Sequence, residues 1–210
     1  MIIIRPEIVL LCCLISTSVS AQSFKPVSNP EKVLAELRKT SQSTSSIQAS
    51  FSEEKYLAVL KEPERSSGIF YYKQKDKMRW EQKVPSSYVI LINGDRLRVQ
   101  EAGKEKNVGQ AGRMAAQIKE LMIGLVNGDF QQNKAFGLTC LESDEHYSVV
   151  LTPVSKRLKN IYSKINLNFS KSTLRLKELT FFEKGGDKNI MKFQNEKFNQ
   201  PVNDTLFLNL

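Results

Sequence analysis

His146 is the sole histidine of the 210-residue chain, and only three cysteines accompany it. A nucleophile–base pair or a nitrogen-and-sulfur metal site therefore has almost nothing to be built from. Cys12 and Cys13 adjoin near the N-terminus, so Cys140 stands alone in the rest of the chain, where no intramolecular disulfide can form. There is no Gly-rich phosphate loop, no Gly-x-Ser-x-Gly and no ligand spacing for a metal. Acidic residues are plentiful, yet none pair at a spacing that argues acid/base work. His146 ends a polar loop starting at Glu142 and reads as solvated; Cys140 falls in a strand pattern and reads as a buried, inert thiol. The expectation is a non-enzyme without cofactor or metal.

No apolar run reaches the about 20 residues that span a bilayer. The run Ile8 to Ile15 behind Arg5 is too short, and Val19-Ser20-Ala21 suits signal-peptidase cleavage before Gln22. Residues 1–21 are thus expected to be a cleaved leader and 22–210 a single exported domain. Cys12 and Cys13 do not make a lipid-anchored start, because Leu10-Leu11 precedes them where small residues are needed. The expected compartment is the periplasm. Stability there must come from packing, which a domain of this length can supply.

Charge is abundant and one-sided, with a net +9. The leader holds one cation and one anion, so its removal leaves that balance unchanged. Lysines and arginines are scattered and no nucleic-acid motif occurs, which argues against nucleic acid. Attraction to anionic lipid, about 1 kcal/mol per well-placed cation, fits the surplus better than nucleic acid does, and plain solubility accounts for it equally well.

Periodicity organises the rest. Asn29-Pro30 starts a helix over 30–40, with Val33, Leu34 and Leu37 on one face. Ile47, Ala49 and Phe51 then alternate with polar residues as a strand does. Strands follow over 68–73 and 77–82, then over 88–92 and 96–101 around Asn93-Gly94, a strong hairpin signal. Met114, Ile118, Leu121, Met122 and Leu125 form one helical stripe. Strands resume over 136–141, 147–151, 161–169, 174–183 and 189–193, with a last one near 205–208. About ten strands with few intervening helices predict a mostly β (α+β) fold: an antiparallel sheet curled toward a barrel.

The stretch SSGIFYYKQKDKMRWEQKVP concentrates Phe70, Tyr71, Tyr72, Met78 and the single tryptophan, Trp80. Alternation places Phe70, Tyr72, Met78, Trp80 and Ile90 on one side of the meander. An ordinary β-core explains this, and so does a cavity wall; methionines suit surfaces that repack around varied ligands.

In order and spacing the chain resembles the periplasmic outer-membrane lipoprotein carrier family, LolA-like. The resemblance runs from Leu34 to Phe207. Its pieces are Ile47-Gln48-Ala49-Ser50-Phe51, Ser67-Gly68-Ile69-Phe70, Met78-Arg79-Trp80, Ile92-Asn93-Gly94-Asp95 and Leu151-Thr152-Pro153. Ile165, Leu167 and Phe169 match next, then Phe193-Gln194-Asn195 and Phe198-Asn199. It implies an incomplete antiparallel barrel with a helical lid over an apolar cavity. Phe51, Phe70, Tyr72, Met78, Trp80 and Ile90 would line that cavity, and Met114, Ile118, Leu121, Met122 and Leu125 would form part of the lid.

The implied cargo is an acylated lipoprotein carried by a monomer. An inner-membrane transporter would be the donor, and an outer-membrane receptor or the membrane itself the acceptor. Another amphiphile, a glycolipid or pigment ester, is the alternative; a lipid hydrolase and a docking module for protein are the rivals from other classes. Gln74-Lys75 stands where the family commonly has an Arg-Pro pair implicated in closing the lid, with Lys73 or Lys75 as possible substitutes.

Overall fold

Asn29 caps the first helix, α1 (Pro30–Gln42): its Oδ1 accepts from the Lys32 amide at 3.0 Å, and Pro30 takes the position where a missing N–H costs nothing. Val33 and Leu37 are the face it buries. The computed structural model describes residues 23–74, 76–107, 124 and 134–210. The expected leader, and Met114, Ile118, Leu121, Met122 and Leu125 of the expected lid, lie outside them.

Among the described residues twelve strands make one sheet. In chain order they are β1 (Lys25–Pro26), β2 (Ser46–Tyr56), β3 (Glu64–Lys73), β4 (Lys77–Val84), β5 (Tyr88–Asn93) and β6 (Arg96–Glu101). Next come β7 (Lys104–Lys106), β8 (Phe136–Glu142), β9 (His146–Pro153), β10 (Tyr162–Ser170), β11 (Leu176–Glu183) and β12 (Lys188–Phe198). The spatial order is β1-β8-β9-β10-β11-β12-β2-β3-β4-β5-β6-β7, and every neighbouring pair is antiparallel. Sequential hairpins build each half, and β12 lying against β2 joins the halves. β1 and β7 do not pair with one another, so the sheet stays open. A one-turn helix, α2 (Lys156–Lys159), links β9 to β10.

At one edge of the sheet β1 pairs with β8. One expected feature differs. The last segment is a 3-10 helix, Asp204–Phe207, rather than a strand: Asn203 caps it, and Leu206-Phe207-Leu208 has no alternation to sustain a ladder.

Register explains which side chains meet. Phe70 lies opposite Trp80 and Trp80 opposite Ile90, while Tyr72 faces Met78 and Met78 faces Ile92. These rows and α1 share the inner face, where Phe51, Ile165, Leu167 and Leu179 complete the core. Register shifts at Ser67/Gly68 and between Gln194 and Lys197 mark bulges, which bend and twist a strand.

On the outer face the C-terminal tail straps β3 to β6. Arg79 donates to the Leu206 and Asn209 carbonyls at 3.2 and 2.6 Å. Asn93 donates to Phe207 O at 3.1 Å and Arg98 to Leu208 O at 3.0 Å. Lys73 reaches Val202 O, and both Lys73 and Lys77 hold the Asp204 carboxylate at 2.8 and 2.6 Å. Phe207 is buried, as are Val89 and Leu91 of β5.

Candidate functional site

The inner wall is aromatic by construction. Phe51 on β2 faces Gly68 on β3. Its ring therefore passes over a residue without a side chain and stacks on Trp80 of β4, centroids 3.8 Å apart. Phe70 and Phe193 close round the same indole at 6.1 and 6.4 Å, the latter edge-on. Such pairs contribute about 0.5–1.5 kcal/mol each beyond the area they bury. Phe51, Phe70, Tyr72, Met78 and Trp80 are all buried and belong to one cluster, with Ile90 packed against it. Burial pushes the Tyr72 phenol up to about 12, with Asp76 adding to the shift. Cys140 is a buried free thiol, raised by burial first and Glu142 second.

Beside this cluster, between the C-terminal end of α1 and the sheet, lies a cavity of about 70 Å³. Ile47, Phe70, Phe169, Leu176, Phe193 and Phe198 form its apolar wall. Of the residues expected to line a cavity, Phe70 is the one at this wall; Phe51, Tyr72, Met78, Trp80 and Ile90 pack next to it as core. Phe169, Phe193 and Phe198 stand in the sequence only as pieces of the family resemblance, with nothing in their spacing to mark them as wall residues. Phe193 and Phe198 share a face only because the bulge at Asn195, which has a φ of 54°, spends an extra residue between them.

Two charged side chains edge the cavity. Glu196 is nearly buried and accepts from Lys177 Nζ at 2.6 Å. Arg175 follows Leu174, whose φ of 56° turns the chain after β10. Its guanidinium lies over the Phe198 ring at 4.1 Å, donates to Thr40 O at 3.3 Å and makes a short bond to Thr44 Oγ1. Burial holds its pKa below the usual arginine range. Arg175 thus ties the end of α1 to the β10–β11 corner.

A second tie comes from Gln74, whose Nε2 donates to Gln42 O at 3.2 Å while its amide donates to Ser45 O at 2.8 Å. Gln74, standing where the resemblance implies an arginine, therefore still contacts α1. Lys73 is not a substitute latch, because its ammonium is engaged on the outer face by Val202 and Asp204; Lys75 lies outside the described residues.

The inner face changes character toward the β2–β3 end. Glu53 continues the row of Phe51, and its carboxylate accepts from Ser66 Oγ and Asn189 Nδ2, both at 2.5 Å. A wider polar cleft of about 470 Å³ opens here, edged by Glu53, Lys55, Glu64, Ser66, Gln82 and Pro85. His146 starts β9, its amide donating to Ser143 Oγ at 3.2 Å in the β8–β9 turn. Among the described residues no group of acidic, histidine and cysteine side chains could hold a metal, and no helix is long and apolar enough to cross a membrane.

With this geometry established, comparison with known proteins is informative. The family described as outer membrane lipoprotein carrier protein LolA matches residues 42–208. An outer-membrane lipoprotein carrier protein of Coxiella burnetii is 24% identical over 154 residues, covering 69% of this chain and 66% of that protein. A LolA superfamily protein from Nitrosomonas europaea has 13% identity and a TM-score of 0.45, over 86% of this chain and 98% of that one. The Mycobacterium tuberculosis lipoprotein LppX has 12% identity and a TM-score of 0.45, over 83% and 99%.

Proposed function

Because the chain belongs to the LolA family of outer membrane lipoprotein carriers, we propose that it is a periplasmic carrier, not an enzyme. It would shelter the acyl chains of lipoproteins between the inner and the outer membrane. The observation that carries this reading is the apolar cavity held between α1 and an open sheet, walled by Phe70, Phe169, Phe193 and Phe198. Hydrocarbon needs such a place: exposure to water costs about 0.8 kcal/mol per methylene, so one chain of about fifteen carbons costs about 12 kcal/mol.

The cavity as it stands is smaller than the about 150 Å³ that holds one benzene molecule. Loading must therefore lift α1, breaking the ties from Arg175 and Gln74 and separating the apolar rows beneath. Their reclosure when cargo leaves offsets part of the cost of release. Phe51, Phe70, Tyr72, Met78, Trp80 and Ile90 become the acyl-contacting wall in that opened state, with Met114, Ile118, Leu121, Met122 and Leu125 as the proposed lid. Cargo would arrive from an inner-membrane transporter and leave to an outer-membrane receptor or to the membrane itself.

The narrow cavity with Arg175 and Glu196 at its edge favours a second reading, a slender amphiphile with a polar head in place of a lipoprotein. One experiment separates the two. The protein purified from the periplasm is examined by native mass spectrometry, and its binding to triacylated and delipidated lipoprotein is compared. Selective capture of the triacylated form supports the carrier; co-purification of a small amphiphile with indifference to both lipoproteins supports the second reading.

A further inference from the structure

Antiparallel pairing throughout sends alternate connections to the same end of the sheet. The β2–β3, β4–β5, β6–β7, β9–β10 and β11–β12 connections and the start of β8 therefore share one rim. Bonds join much of it into one surface. Val154 N donates to Ala135 O at 2.7 Å and Lys184 N to Ile161 O at 2.9 Å. Ala58 N donates to Asp187 Oδ1 at 2.8 Å, and Lys188 Nζ lies 4.4 Å over the Tyr56 ring.

Exposed apolar side chains gather here. Of the six large hydrophobic residues exposed among the described residues, five are on this rim: Tyr56 at 37%, Val59 at 89%, Leu60 at 48%, Val84 at 55% and Val154 at 55%. The sixth, Leu208, belongs to the tail. Single exposed apolar residues need no explanation, but five at one end of a molecule do. The same connections carry the exposed cations Lys61, Lys134, Lys156, Arg157, Lys159 and Lys184 against the acids Glu62 and Asp187, and the strand ends beside them add Lys104 and Lys188 against Glu64, Glu101 and Glu183, so cations remain in excess. The opposite rim is different: among the described residues its turns hold Asp76, Asp95, Asp144 and Glu145 against Lys171 and Arg175, with Lys75 outside that set, and no exposed large hydrophobic residue.

We propose that this rim docks on an anionic phospholipid bilayer, with Val59, Leu60, Val84 and Val154 entering the interface and the surrounding lysines meeting phosphate headgroups. Apolar tips on separate loops, spaced by long flexible cations, suit a fluid surface better than the fixed relief of a protein groove. The charge supplies the complementary attraction, and aliphatic insertion holds what the charge collects. The site is independent of what the inner cavity carries.

The test is co-sedimentation of the mature chain with protein-free vesicles. Vesicles of phosphatidylglycerol and phosphatidylcholine in equal parts should bind about tenfold more protein than phosphatidylcholine alone. Salt at about 1 M, where the screening length is about 3 Å, should remove that preference. V59D/L60D and, separately, K156E/K159E should each reduce binding at least about fivefold with circular dichroism unchanged, while D95K/D144K on the opposite rim should not reduce it. Should V59D/L60D misfold, the charge variant alone decides. Equal binding to both vesicles, variants that bind undiminished, or retention only by vesicles that contain membrane proteins would overturn the assignment.

Discussion

Gly68 does what no other residue at its position can. A Cβ there would sit 2.7 Å from Phe51 Cζ and collide with the Glu81 carbonyl. The carbonyl belongs to the ladder between β3 and β4 and cannot retreat; the ring can retreat only by leaving Trp80. Gly68→Ala should therefore destabilise the protein by about 2–3 kcal/mol, in the range of overpacked cores. It should also change the emission of the single tryptophan as the Phe51 stack is lost. A variant with unaltered melting temperature and emission would show that the ring does not rest on the glycine.

At the scale of elements, two straps behave differently. The C-terminal strap is pinned by Asp204, whose carboxyl the Lys73 and then the Lys77 hydrogen bonds hold down at about 2. A lowered pKa means the contribution is complete above the ordinary carboxylate range near 3.9 and fades as pH falls through about 2. The protection of the residue 204–208 amides, measured against the intrinsic exchange rate at each pH, should fall between about pH 4 and pH 2, and Asp204→Asn should show the lower protection at every pH. On the inner side, Arg175→Ala removes two hydrogen bonds and a ring contact from the end of α1. A hydrogen bond to a charged group contributes about 1.5–3 kcal/mol when well buried; with Arg175 half-exposed and both bonds replaced by water on opening, a net loss of about 1.4 kcal/mol should make opening roughly tenfold easier. Uptake of a fluorescent fatty acid, followed by stopped flow, should quicken accordingly; an unchanged rate would place the gate elsewhere.

Elements with a clean period were legible in the sequence. Asn29-Pro30 marked α1, Asn93-Gly94 marked the β5–β6 hairpin, and the alternation of Phe70, Tyr72, Met78, Trp80 and Ile90 placed them on one face as observed. What escaped had its signal erased by local chemistry. β2 runs on to Tyr56 because Ser66 and Asn189 satisfy Glu53, but a carboxylate on an inner face does not read as strand. β12 runs on to Phe198 through a bulge, which replaces a spacing of four by a spacing of five. Arg175, in an irregular corner with no motif, could not be found before the chain was folded.

For the whole molecule, an open sheet leaves free edges, and free edges invite association. β7 is an edge among the described residues, and its three residues are the exposed Lys104, Glu105 and Lys106. Charge on so short a strand discourages a second chain from extending the ladder. K104V/K106V should sediment as larger species than the parent chain, with salt making little difference; a variant that sediments as the parent does would show that another feature guards that edge.

The outer strap also says which letters of the tail are written in ink. Lys73, Arg79, Asn93 and Arg98 grip it through the carbonyls of Val202, Leu206, Phe207, Leu208 and Asn209, atoms that every amino acid supplies. Asp204 and Phe207 are the side chains that anchor it to the sheet and Asn203 caps its 3-10 turn, so positions 206, 208 and 209 are the ones open to drift. Related chains should therefore differ freely at residues 206, 208 and 209 while their tails keep the same path across the back of the sheet.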